Sequence, residues 1–202
     1  MIRKNADSFD GLQPLSVSYE DQTGADRVKD YLLNCLDLFQ DNNIIVLCIG
    51  TDRATGDALG PLVGSKLSLL NVVPVFGTLE EPVHAVNLAD TVQHIRRNYP
   101  DCCIIAVDAC LGQLKSIGSI NVGCGSLKPG AGVKKNLPEV GDIYVTGIVN
   151  IGGFMEYFVL QNTRLGLVVK MAEFISSSLG EALLAHKKKR PLYRIRFSEQ
   201  LS

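Results

Sequence analysis

Apolar positions along the chain fall into two rhythms. One is the unbroken run. "IIVLCIG" (44–50), "VVPVFGT" (72–78) and "CCIIAVDA" (102–109) read as strands, and the first and last of these as strands buried on both faces of a sheet. The other is the helical stripe. In "DRVKDYLLNCLDLFQ" (26–40), Val28, Leu32, Leu33, Leu36 and Phe39 share one face. Leu62, Val63, Leu67 and Leu70 do so in "PLVGSKLSLL" (61–70). "AVNLADTVQHIRRNYP" (85–100) predicts a further helix ended by Pro100. "LSVSY" (15–19) alternates like an edge strand, "GSINVG" (118–123) is a weak strand and "DIYVTGIVN" (142–150) a good one. Residues 154–190 predict mostly helix, re-capped at Thr163, and "LYRIRF" (192–197) predicts a last strand. Residues 1–14 are polar, and a frayed or extended segment is expected there.

Strand alternating with helix predicts an α/β fold with a mainly parallel sheet. The length of 202 residues suits one domain, and no linker or repeat divides it. Ligands of such sheets bind outside the carboxyl ends of the strands. Those ends carry Asp52 and Asp57 after the first buried strand, Glu80, Glu81 and His84 after the second, and Asp108 after the third. Asn150 and a Gly-Gly pair follow "DIYVTGIVN". Arg53 is the only cation at these immediate ends. Gathered carboxylates raise each other's pKa or demand a cation.

Each acid has a bland alternative. Asp57 could cap the following helix, since Asp favours that place. A cap there would put Pro61 at the fourth helical position, where its ring meets the Asp57 carbonyl. The helix is therefore expected to begin near Gly60 or Pro61, with Asp57 in the turn before it. On the residues alone capping and function stay open. Asp108 could form a turn, but Ala and Cys follow it rather than Gly, Pro or Asn. A carboxylate at a half-buried strand end is costly unless paired or functional. His84 alone reads as an ordinary loop histidine.

Composition narrows the classes. Net charge is −1, so nothing draws the chain to nucleic acid or a membrane surface. Aromatic residues make up 6% with no Trp, which disfavours base-stacking platforms. The six cysteines lack CxxC spacing, so reduced thiols and a cytosolic location are expected. No signal peptide or membrane span is read from the pattern. "GTDRATGDALG" is neither GxGxxG nor a Walker A loop, and GxSxG and HExxH are missing. "GCGSLKPGAGVKK" (123–135) is a glycine-rich basic loop, suited to a flap or substrate clamp, with a type II turn expected at 128–131.

"VLCIGTDRATGDALGPLVG", "GTLEEPVHAVNL", "IIAVDACLG" and "LKPGAGVKKNLPEVGDIYVTGIVNIGGFMEY" together resemble the YyaC sporulation family of spore-forming bacteria. That family is similar in turn to the germination protease, which degrades small acid-soluble spore proteins, and to the hydrogenase maturation endopeptidases. The resemblance implies a three-layer α/β/α, phosphorylase/hydrolase-like fold. It implies a peptidase with catalytic Asp57 and Asp108, the matches to the germination protease's two aspartates. His84 and Asn150 are expected to bind substrate. Backbone N–H groups near Gly60 are expected to hold an oxyanion. The maturation endopeptidases add a histidine that holds nickel. "VNIGGFM" has none in that region, so neither metal nor cofactor is expected. Protein or peptide substrates, small acid-soluble spore proteins among them, are the implied partners, with homo-oligomerisation left open. The implied location is the forespore or spore core. A metal-dependent peptidase using Asp57, Asp108 and His84 is one rival reading. A retired peptidase fold that binds or regulates is another.

Overall fold

A computed structural model describes residues 12–39, 42–130 and 137–199, with side chains through Lys189. The apolar runs become the middle of a six-stranded sheet. Its strands are β1 (Leu15–Ser18), β2 (Ile44–Cys48), β3 (Val75–Phe76), β4 (Cys103–Gly112), β5 (Ser119–Cys124) and β6 (Ile143–Ile151). Their spatial order is β1-β5-β6-β4-β2-β3. β6, β4, β2 and β3 run parallel, and β5 is antiparallel to both β6 and β1. Every residue of β2 is buried, as its continuous run requires.

Five α-helices accompany the sheet among the described residues, α1 (Gly24–Leu36), α2 (Leu59–Ser68), α3 (Leu88–Asn98), α4 (Glu156–Gln161) and α5 (Leu165–Glu199), together with short 3₁₀ turns that include Gly56–Ala58 ahead of α2. Alternate strand residues sort the core into two layers. Val46, Cys48, Cys103, Ile105 and Val107 pack with Leu32 of α1, Val63 of α2 and Met171 of α5. Ile45, Leu47, Ile104 and Ala106 pack with Leu88 and Ile95 of α3. Helices thus cover both faces, and the architecture is the expected three-layer α/β/α. Among the described residues no helix is long and apolar enough to cross a membrane.

Several local expectations are corrected. The strand expected over 72–78 shrinks to Val75–Phe76, at the sheet edge beyond β2. The re-capping expected at Thr163 is present, since α4 ends at Gln161 and α5 begins at Leu165, but the helical stretch starts at Glu156 rather than at 154. "LYRIRF" is not a strand: α5 runs through it to Glu199. A six-residue alternation is too short to override a helix that arrives with no glycine stop. The expectation for residues 1–14 falls on positions outside the described range, apart from Leu12–Pro14, where Leu12 packs against the core.

Candidate functional site

The order of the parallel strands reverses between β2 and β4. The chain leaves β2 toward β3, then returns through α3 to place β4 on the other side of β2. Loops diverge at such a reversal and leave a crevice beyond the carboxyl ends. A cleft of about 420 Å³ lies there, and Asp57, His84 and Asp108 all line it.

Asp57 reaches it through the tight path from β2 to α2. The 3₁₀ turn Gly56–Ala58 runs directly into α2, whose N-cap is Ala58, and no side chain caps either element. Asp57 is therefore no cap. The helix begins at Leu59, slightly earlier than expected, and Pro61 is its third residue. The proline is accommodated because the Asp57 carbonyl is used elsewhere: it accepts the Thr51 backbone N–H at 3.1 Å. Pro61 supplies no N–H to that carbonyl, and the strand exit supplies one instead. Asp57 is thus pinned at the β2 exit, where it lines the cleft.

Asp108 lies on β4, on the same side of the strand as Ile104 and Ala106. It is 6% exposed. Burial pushes its carboxyl well above the usual range, the Asp57 charge pushes it further, and the backbone N–H groups of Ala109 and Gly130 pull it back. Burial also raises Asp57, opposed by the Thr51 backbone N–H and by His84. Asp57 is only partly buried. The two carboxyl groups therefore differ: one deeply buried, the other nearer water and surrounded by groups that favour its ionised form.

The glycine-rich loop contributes a wall. Leu127 and Val140 bridge its base, exchanging N–H···O bonds of 2.9 and 3.0 Å. Leu127, Lys128 and Gly130 line the cleft. Gly130 has φ of 65°, as the third place of a type II turn requires. The remainder of the flap expectation falls on residues 131–136, outside the described range.

A family model described as "Protein of unknown function (DUF1256)" matches residues 16–178, which span β1 to the middle of α5. The chain belongs to this family. A Bacillus subtilis (strain 168) relative, "Uncharacterized protein YyaC", is 53% identical over 165 residues, covering 81% of this chain and 80% of that protein. The DUF1256 match contains every residue assigned to the cleft, from Thr51 to Leu160.

Not every expected site residue comes to the cleft. Asp52 is exposed and outside its lining, as are Glu80 and Glu81. Gly60 is packed on the backbone of Ile49 and does not line the cleft, so its N–H is no oxyanion donor there. Asn150 is also not among the lining residues. Its amide donates to Thr163 Oγ1 at 3.2 Å and to the Val159 carbonyl at 3.4 Å, and its Oδ1 accepts the Ile151 N–H at 2.8 Å. Thr163 Oγ1 in turn donates to Val159 O at 2.9 Å. Asn150 is thus a tether between β6 and α4 rather than a substrate contact. The tether bears on the site indirectly, because Leu160 and Thr163 press on Gly56, beside Asp57. Asn150→Ala is expected to cost about 1 kcal/mol in urea denaturation, the worth of a partly exposed hydrogen-bonded amide. An unchanged midpoint would remove the tether from the account.

Sequence reasoning missed Glu156, Tyr157 and Leu160, through which α4 forms another wall. It also gave no role to Thr146 and Cys110 inside the cleft. The signal for α4 was the apolar "FMEYFVL" directly after a Gly-Gly pair, but a stripe does not say which surface it meets.

The donors do not fit a metal centre. Among the described residues no group of three or more His, Cys, Asp or Glu side chains is placed to hold an ion. His84 Nδ1 accepts the Val86 backbone N–H at 3.3 Å, which leaves the neutral ring's proton on Nε2. A histidine binding metal through Nε2 would need its proton on Nδ1, facing a hydrogen-bond acceptor. Here it would face another N–H.

The raised carboxyl has a consequence for stability. Between the unfolded pKa, near 4, and its own higher value, folded Asp108 holds a proton that the unfolded chain has lost. Stability therefore falls as pH rises through that window, by up to ~1.4 kcal/mol per pH unit for one proton. Denaturation midpoints compared at pH 5 and pH 8 are expected to show a smaller fall for Asp108→Asn than for the native chain. Equal falls would mean that Asp108 titrates normally.

Proposed function

We propose that this protein is a peptidase whose Asp57 and Asp108 work as an acid–base pair. The observation that carries the reading is the pairing in one cleft of a deeply buried carboxyl with a partly exposed one whose charge it feels. Close carboxyls share a proton, and the titration belongs to the pair. The environments favour an assignment that the sequence leaves open: Asp108 keeps the proton and Asp57 is the base. In the first step Asp57 takes a proton from water as the oxygen attacks the peptide carbonyl carbon. Asp108 gives its proton to the carbonyl oxygen, forming a neutral tetrahedral diol. In the second step the diol returns a proton to Asp108 as its carbonyl re-forms. Asp57 delivers its proton to the departing nitrogen, and the C–N bond breaks. The lining adds Arg53 and Lys128 beside apolar Val86, Leu111 and Leu127, which suits a polypeptide better than a small polar metabolite.

The resemblance to the sporulation family supports small acid-soluble spore proteins as the first substrates to try, and the forespore as the location. The test is incubation of the purified protein with a panel of these proteins and with unrelated unfolded polypeptides, followed by mass spectrometry. New termini that appear with the native protein and not with Asp57→Asn or Asp108→Asn support the peptidase. Intact substrates throughout would sink it.

One observation favours a second reading, a binding protein on a retired peptidase fold. Ile151, Phe154, Met155, Tyr157 and Phe158 are all exposed within one short segment beside the cleft. Apolar clusters of that kind mark interaction surfaces. Capture of a spore protein without cleavage, unaffected by loss of either aspartate, is the result that would select this reading.

A further inference from the structure

Cys35 lies in the last turn of α1, and Cys124 is the final residue of β5, on which α1 packs. Their Sγ atoms are 2.8 Å apart although 89 positions separate them in the chain. A disulfide needs about 2.05 Å, so closing it takes a shift of under ~1 Å. The two thiols are also unlike in access. Cys35 is fully buried, whereas Cys124 is partly exposed.

We propose that Cys35 and Cys124 form a redox pair, Cys124 meeting an external low-molecular-weight disulfide and Cys35 resolving it into an α1–β5 cross-link. The Cys124 thiol loses its proton to solvent and attacks one sulfur of the external disulfide. That S–S bond breaks, one small thiolate leaves and takes up a proton, and a mixed disulfide remains on Cys124. Cys35 then gives up its proton and attacks Cys124 Sγ, expelling the second small thiolate, which is protonated in turn. Two protein thiols are oxidised to one disulfide, and one external disulfide is reduced to two thiols. The order of events follows the local chemistry. Burial holds the Cys35 thiol above its usual range and away from solvent, whereas Cys124 is partly exposed. The more accessible thiol attacks first. The inference is independent of the aspartate pair.

The test uses the full chain, incubated with oxidised glutathione or with dithiothreitol, then denatured for thiol counting and mapped by mass spectrometry. Oxidation is expected to lower the free count from the six cysteines of the sequence to four, with one cross-link joining the Cys35 and Cys124 peptides. Melting is expected to rise by roughly 10 °C, because the bond closes a long loop. Cys35→Ser should stop at glutathione on Cys124, and Cys124→Ser should take up none on Cys35. An unchanged count, glutathione on Cys124 as the end product in the native chain, or a cross-link through Cys103 overturns the proposal. Should Cys35→Ser fail to fold, Cys124→Ser at the partly exposed position still decides: glutathione on its Cys35 refutes the assigned order.

Discussion

Asp57→Asn and Asp108→Asn are each expected to lower peptide hydrolysis by about 10³-fold, within the range that positioned acid–base groups contribute. The amide is nearly isosteric with the carboxyl, so the cleft keeps its shape while one proton carrier is lost. The two losses should not multiply. Either change alone removes the proton relay, so the double variant should be about as slow as the slower single one. Circular dichroism and urea midpoints separate this from misfolding. Asp108→Asn should be at least as stable as the native chain at pH 8, because it removes a carboxyl that burial and the Asp57 charge oppose ionising. Asp57→Asn should leave a second mark. With the neighbouring charge gone, Asp108 loses one cause of its raised pKa, and the stability loss between pH 5 and pH 8 should be spread over a lower window. Activity of the native protein should give a bell-shaped pH profile whose limbs belong to the pair. A single variant that retains full activity would exclude that aspartate from the chemistry.

The placement of both aspartates was legible because it rests on strong signals. Runs such as "IIVLC" and "CIIAV" are too apolar for an exposed strand, and acids at their carboxyl ends must gather at one edge of a parallel sheet. Pro61 was half informative. It separates Asp57 from the role of cap, yet it does not delay the helix to its own position, because the Thr51 N–H relieves the Asp57 carbonyl from outside the helix. No local pattern contains that partner. Asn150 was misjudged for a similar reason. Its place near a strand's carboxyl end is correct, but its amide faces Val159 and Thr163 across the broken helix. The short β3 and the continuation of α5 past residue 190 depend on neighbours rather than on period. The close thiol pair was invisible for the same cause: 89 positions separate its members, and only the packing of α1 on β5 joins them.

Gly60→Ala is expected to cost about 3 kcal/mol or more, lowering the melting temperature by roughly 6–12 °C, although alanine is the better helix former. A Cβ at Gly60 would stand 2.0 Å from the carbonyl oxygen of Ile49, with the carbon and nitrogen of that residue at 2.8 and 2.9 Å. All three atoms are backbone, so no side-chain rotation relieves the overlap. Either α2 lifts from the end of β2 or the strand bends away. Gly50 makes the reciprocal approach: its φ is 144°, and a Cβ there would meet the Asp57 carbonyl oxygen at 2.0 Å. The glycines of this stretch therefore bring the turn carrying Asp57 against the strand exit, more than they loosen it. Lifting α2 would weaken the Thr51–Asp57 bond and draw one carboxyl away from the other, so hydrolysis should fall along with stability. Gly166 is the control. It lies in the first turn of α5, and a Cβ there has nothing within 4 Å. Gly166→Ala should leave stability unchanged or raise it by up to ~1 kcal/mol. Matching urea midpoints for the two variants would mean that close approach at Gly60 does not hold α2 on β2, and that Asp57 is positioned by some other contact.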